Sequence, residues 1–258
     1  MIDTSSSMLF YKIKSVSEFF SLKKIKTFLL KSIHFLLIVF FRNWIKKIDG
    51  IENIDLKRPV IFVANHRSYF DFILLGTIFT KNVVFLAEKK ISKTFFIKYL
   101  AKFYEVIYID RDNPGLSFLK KLIKCIEDGK SIIIFPEGTR SRSGKMLLPK
   151  IGFVKLAMLT TTPIVPVAIK GTYEILPPHK VLPKFKKCEI VFCKKFYISP
   201  DNSEFKNIFL KKGIKKFSKL TKEDLQKIAI RVMEKIRVLT NEEWDETALK
   251  KINESRIF

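Results

Sequence analysis

The chain has 258 residues, 49 of them basic and 25 acidic, for a net charge of +24. That length suffices for one substantial domain with its own core. The charge excess calls for an anionic partner: nucleic acid, an acidic membrane surface or an acidic substrate. Hydrophobic residues make up 47% and phenylalanine alone accounts for 25, more than a soluble nucleic-acid binder requires, so the composition favours a membrane surface. Cys125, Cys188 and Cys193 are odd in number, widely spaced and without nearby histidines, which argues against a disulfide framework or a zinc site and predicts reduced thiols in a cytoplasmic setting.

Residues 1–48 read as an N-terminal amphipathic or hydrophobic helical segment that associates with membranes. Phe10, Ile13, Val16, Phe19 and Phe20 recur at helical spacing, with Lys12, Lys14, Lys23, Lys24 and Lys26 among them. The uncharged part, Ser32 to Phe41, is ten residues long. At ~1.5 Å per residue it reaches about 15 Å, against a hydrocarbon thickness of ~30 Å. We therefore expect an interfacial anchor rather than a spanning helix.

Asp49-Gly50 marks a break, and residues 49–258 read as a second domain. Predicted strands fall at 59–64, 82–87, 106–109, 131–135 and 163–169, with a late strand at 188–193. Between them the apolar spacing predicts helices over 69–80, from about Ser92 to Phe103, over 114–128 and over 150–159. Strands alternating with helices predict an α/β fold with a mostly parallel central sheet flanked by helices. Lys206 to Lys219 is strongly basic and interleaved with Ile208, Phe209, Leu210, Ile214 and Phe217. It reads as a second membrane-facing patch or as a solvated loop. Thr221 to Leu239 predicts a helix capped by Thr221, with Glu223 and Asp224 in its first turn.

The candidate chemistry lies at the first strand-to-helix turn, Asn65-His66-Arg67-Ser68-Tyr69-Phe70-Asp71. A neutral imidazole takes a proton from a hydroxyl near neutral pH. A carboxylate bonded to its other nitrogen fixes the tautomer and stabilises the imidazolium. His66 and Asp71 therefore form a candidate base and orienting acid. With no G-x-S-x-G elbow in the chain, the pair would act on a substrate alcohol directly. The same residues admit a second reading, because Ser68-x-x-Asp71 also fits a capping box for the helix that follows.

A second stretch, Phe135-Pro136-Glu137-Gly138-Thr139-Arg140-Ser141, follows the strand at 131–135. Together, N-H-x-S-x-x-D and F-P-E-G-T-R-S resemble the glycerolipid acyltransferase family, specifically the bacterial 1-acyl-sn-glycerol-3-phosphate acyltransferases. Val106 to Arg111 is similar to the family's second block and Ile164 to Ile169 to its fourth, so the resemblance covers about residues 50–200.

The resemblance implies transfer of a fatty acyl group from an acyl thioester, with acyl-CoA or acyl carrier protein as donor substrate. The acceptor would be the sn-2 hydroxyl of lysophosphatidic acid, and no metal or other cofactor is expected. His66 would be the general base and Asp71 its partner. Arg111, Glu137, Gly138, Thr139 and Arg140 would bind or shape the acceptor site. Arg140 is the first choice for the phosphate because a guanidinium matches its oxygens bidentately. Asn65 and Ser68 would support the His66 turn, Lys89 is a further cation, and Pro166 would shape a strand edge or bulge near the pocket.

Glu105 stands where many relatives carry glycine, and Ala87-Glu88-Lys89-Lys90-Ile91 departs from the usual basic pattern. Both leave the acceptor less defined than the bond-breaking pair. The enzyme would sit on the cytoplasmic face of the membrane, with the phospholipid surface as partner and no nucleic acid. Alternatives are an acyltransferase of the same family acting on another lysolipid or on glycerol phosphate, and a basic membrane- or nucleic-acid-binding protein without catalysis.

Overall fold

The computed structural model describes residues 4–79, 82–93, 98, 101–110, 115–210 and 220–254. The chain divides into two compact units, residues 1–43 and 44–258. The first is one helix, α1 (Thr4–Arg42), in which Phe28, Leu29, Phe35 and Leu36 are exposed. Among the described residues no helix is long and apolar enough to cross a membrane.

The second unit is built on a seven-stranded sheet. Its strands are β1 (Ile45–Asp49), β2 (Ile61–Ala64), β3 (Val83–Glu88), β4 (Glu105–Ile109), β5 (Ser131–Ile134), β6 (Ile164–Lys170) and β7 (Cys188–Phe192), in the order β1-β7-β6-β2-β5-β3-β4. All pairings are parallel except β6 with β7. This is the α/β, mostly parallel sheet that the alternation of elements predicts. Every residue of β2 is buried. A continuous apolar run of this kind suits a parallel strand covered on both faces.

β1 extends the sheet where the sequence reads as a continuation of the basic helix, and the break in contacts falls between Asn43 and Trp44. It is an edge strand with Lys46 and Lys47 exposed, and lysines are well tolerated at a sheet edge.

The helices of this unit are α2 (Tyr69–Ile78), α3 (Leu116–Glu127), α4 (Gly152–Thr160), the short α5 (Thr172–Ile175), α6 (Ser203–Leu210), α7 (Lys222–Thr240) and α8 (Glu246–Glu254). Of the basic helix expected from Ser92 to Phe103, residues 94–97, 99 and 100 lie outside the described residues, and Ser92, Lys93 and residues 101–103 form turns. Phe205, Ile208 and Phe209 of α6 are buried and feed the core, whereas Leu210 at its end is exposed. The remainder of the predicted patch, from Lys211 to Lys219, lies outside the described residues.

α7 starts as its sequence predicts. Thr221 and Asp224 form a capping box, satisfying amide groups that the first turn leaves open. Its stripe of Leu225, Ile228, Ala229, Val232, Met233 and Ile236 is buried, and the helix packs on β6. Each large side chain in such a stripe contributes roughly 1.5–3 kcal/mol by leaving water. Asn241 ends the helix in the left-handed conformation (φ 56°), and the next residue, Glu242, enters the site.

Candidate active site

β2, β5 and β6 are adjacent and parallel, so their C-terminal ends open on the same side. Open parallel sheets present their ligand sites at that edge. The His66 turn follows β2, the Phe135–Arg140 turn follows β5, and Gly171-Thr172 follows β6. Three segments distant in sequence thus meet at one place.

His66 Nδ1 lies 2.9 Å from Asp71 Oδ2. A carboxylate only accepts, so Nδ1 carries the proton and Nε2 is left as the basic nitrogen. The same Oδ2 accepts from the amides of Arg67 (2.6 Å) and Ser68 (2.8 Å), and Oδ1 accepts from Thr172 Oγ1 (2.5 Å). Asp71 is fully buried. The capping box is present as well: the Ser68 hydroxyl accepts from the helix's first turn while Asp71 accepts from the Ser68 amide. Both readings of Ser68-x-x-Asp71 therefore hold together. The cap fixes the carboxylate, and the carboxylate fixes the imidazole. The Phe135 ring stacks on that imidazole with centroids 4.2 Å apart and planes 23° apart.

Asn65 and Ser68 hold the turn from either side. The Asn65 side chain exchanges two 2.8 Å bonds with the Ile169 backbone, and Ser68 Oγ donates to Leu176 O (2.6 Å). Ser141 N donates to His66 O (3.1 Å), tying the third block to the first.

Behind the turn lies a charge cluster that local sequence does not disclose. Arg67 is buried and donates through Nη1 to both Glu137 oxygens (2.8 and 2.7 Å) and to His66 O (3.0 Å). Its Nη2 reaches Glu242 Oε2 (2.5 Å). Glu137 also accepts from the amides of His66 (2.9 Å) and Leu147 (2.8 Å). Glu242 accepts from Asn65 as well (3.2 Å).

Burial opposes the charge on Arg67, but Glu137 and Glu242 outweigh it and push its pKa up. Burial pushes the Glu137 carboxyl up, with Arg67 and the two amides pulling it back. Arg67 Nε is buried without a hydrogen-bond partner. Glu137 does not line the cavity; it acts on the site from behind, through Arg67 and the His66 amide.

A cavity of about 690 Å³ opens beside His66. Leu86, Ile109, Phe118, Leu119, Leu122 and Ile134 supply apolar walls, while Tyr69, Gly138, Thr139, Arg140, Lys150 and Lys155 also face it. Arg140 lies over the Tyr69 ring, 3.5 Å from its centroid. Gly138 sits at φ +72°, where a Cβ would meet Lys150 Cε at 2.9 Å. The positive φ is what favours glycine in this turn, since the flexible end of Lys150 could move aside.

Other predicted residues lie elsewhere. Lys89 is exposed and does not line the cavity. Pro166 is buried in an interior strand rather than at an edge, and the β6 pairing with the chain after β7 shifts by one residue beside it. Arg111 lies outside the described residues. Sequence reasoning missed Arg67, Thr172, Glu242 and Lys150. Among the described residues, no group of three or more His, Cys, Asp or Glu side chains is placed to hold a metal ion.

A carboxylate-held imidazole beside a largely apolar cavity with cations on its walls thus stands at the C-terminal edge of a mostly parallel α/β sheet. The chain belongs to the acyltransferase family, whose model matches residues 46–170. It is 36% identical over 130 residues to a 1-acyl-sn-glycerol-3-phosphate acyltransferase of Limnanthes douglasii, covering 49% of this chain and 46% of that protein. The protein of the same name from Borreliella burgdorferi is 34% identical over 127 residues (48% and 51% covered), and that of Bacillus subtilis 31% over 126 residues (48% and 62% covered). The matches thus span about half the length of these curated relatives. The crystal structure of the 1-acyl-sn-glycerophosphate acyltransferase PlsC from Thermotoga maritima superposes with a TM-score of 0.55 at 26% identity, covering 88% of this chain and 87% of that one.

Proposed function

We propose that this acyltransferase moves a fatty acyl group from an acyl thioester to the sn-2 hydroxyl of 1-acyl-sn-glycerol-3-phosphate, giving phosphatidic acid. The observation that carries the reading is the His66–Asp71 pair set beside a cavity with apolar walls and Arg140. The relatives' names point to the same acceptor.

In this reading His66 Nε2 takes the proton of the acceptor hydroxyl, and Asp71 stabilises the imidazolium. The oxygen attacks the thioester carbonyl. The tetrahedral intermediate collapses and expels the thiolate, which takes the proton back from His66. Arg140 binds the acceptor phosphate, and the apolar walls take up hydrocarbon. No acyl-enzyme intermediate is required. The protein attaches to the cytoplasmic face of the membrane through α1, where its acceptor resides.

The test is a matrix of purified full-length protein with acyl-CoA or acyl carrier protein as donor, and lysophosphatidic acid, lysophosphatidylcholine or glycerol phosphate as acceptor. Transfer to lysophosphatidic acid above the others supports the reading. Transfer to another acceptor in its place keeps the chemistry and replaces the substrate.

A further inference from the structure

The three most exposed large apolar side chains among the described residues are Val181, Leu182 and Phe185, at 89%, 82% and 90%. All lie in one connection, residues 176–187, between α5 and β7. Lys180, Lys184 and Lys186 alternate with them, and no acidic residue occurs from Leu176 to Lys187. Exposed apolar side chains so clustered mark an interaction surface.

The connection is held in place. The buried Trp44 donates its indole N–H to Lys184 O (3.1 Å) and stacks against Phe185, with centroids 5.3 Å apart and planes 17° apart. Lys184 N bonds Ile175 O (2.8 Å), and Cys188 N bonds Trp44 O (2.8 Å). Pro177, Pro178 and Pro183 restrict the backbone further. It also borders the site. Leu176 O holds the Ser68 cap, and Pro178 and His179 share a cleft with Thr139, Arg140 and Arg142.

We infer that residues 176–187 form a loop that inserts into an anionic lipid bilayer. Val181, Leu182 and Phe185 enter the acyl region, and Lys180, Lys184 and Lys186 stay at the headgroup phosphates. Charge decides the occupant. Aliphatic and aromatic tips ringed by lysines and free of acids fit the combined apolar and anionic character of such a surface. Nucleic acid would leave the three apolar groups without a partner. Insertion sets the rim of the catalytic turn against the lipid layer. The inference goes beyond the acyl-transfer reading and stands without it.

The experiment places a reporter at the tip. Leu182→Trp in the full chain is compared with the unsubstituted protein, whose Trp44 and Trp244 are buried. Both are mixed with vesicles of phosphatidylglycerol carrying brominated acyl chains, and with vesicles of phosphatidylcholine. Expected with phosphatidylglycerol is an added emission component, shifted to shorter wavelength and quenched by bromine. It should weaken in high salt and with phosphatidylcholine, and be lost on adding Lys180→Glu and Lys184→Glu to the reporter variant. An added indole that emits as in water while the chain co-sediments with vesicles overturns the inference. So does a shift produced by an acidic carrier protein and not by vesicles. Because the readout is optical, an enzyme silent toward lysophosphatidic acid would not affect it.

Discussion

Arg67 Nη2 lies 2.5 Å from Glu242 Oε2, a hydrogen bond between residues 175 positions apart. It joins the residue after the candidate base to the turn that ends α7. The C-terminal part of the chain thereby helps hold the first block in place. Arg67→Met should cost about 3–5 kcal/mol, because it strands Glu137 as an uncompensated buried charge. Glu242→Gln should cost less, since the Arg67–Glu137 pair survives. Urea unfolding monitored by circular dichroism measures both; equal losses would contradict this ranking.

Thr172 is the partner of the Asp71 oxygen that His66 does not use. Thr172→Val removes the hydroxyl while keeping the shape. A hydrogen bond to a charged group is worth roughly 1.5–3 kcal/mol, so kcat should fall by about tenfold to a hundredfold. KM should stay close to its original value, because the hydroxyl is spent on Asp71. Steady-state kinetics separates the two, and a change confined to KM would place Thr172 in acceptor binding.

Arg140 tests the phosphate assignment. Arg140→Ala should raise KM for lysophosphatidic acid by about tenfold to a hundredfold, the loss expected of a charge-assisted bond. Arg140→Lys should recover part of it, restoring the charge but not the fork. An unchanged KM in the alanine variant would remove Arg140 from the acceptor site.

Cys188 gives a pH prediction. Burial pushes its thiol up to about 12, with the Asp71 charge adding to the effect. The folded pKa lies above the unfolded one, so its stabilising contribution is complete below about pH 9 and is lost as pH rises through about 12. Stability should fall across that window by on the order of a few kcal/mol at most, and less steeply in Cys188→Ala. Native Cys188 should also resist thiol reagents at pH 8 until the chain unfolds. Rapid native labelling would contradict the assignment.

What the sequence discloses is what it encodes locally. The strand at 61–64 and the turn at 65–71 can be read from an apolar run followed by a motif, and the Thr221 cap from its own first turn. The Asn65 and Ser68 side chains, by contrast, bond Ile169 and Leu176, partners 104 and 108 positions away that the motif does not name. Arg67, Thr172 and Glu242 were not legible because their meaning lies in their partners, which parallel strand order and a helix end bring together from distant positions. β1 was hidden by its lysines, which suit an edge strand as well as a basic helix. α6 was misjudged for a related reason: the neighbouring lysine density masked an i, i+4 pair, Phe205 and Phe209, that turns inward.

The central claim is that His66, held by Asp71, activates the acceptor hydroxyl. The most direct measurement is acyl transfer to lysophosphatidic acid by the purified protein and by His66→Ala, with circular dichroism showing both folded and co-sedimentation showing both on vesicles. The account predicts a fall in kcat of roughly a hundredfold to ten-thousandfold, the range for removing a general base, with membrane attachment intact. A folded, membrane-bound His66→Ala variant that transfers acyl groups at the original rate would contradict it.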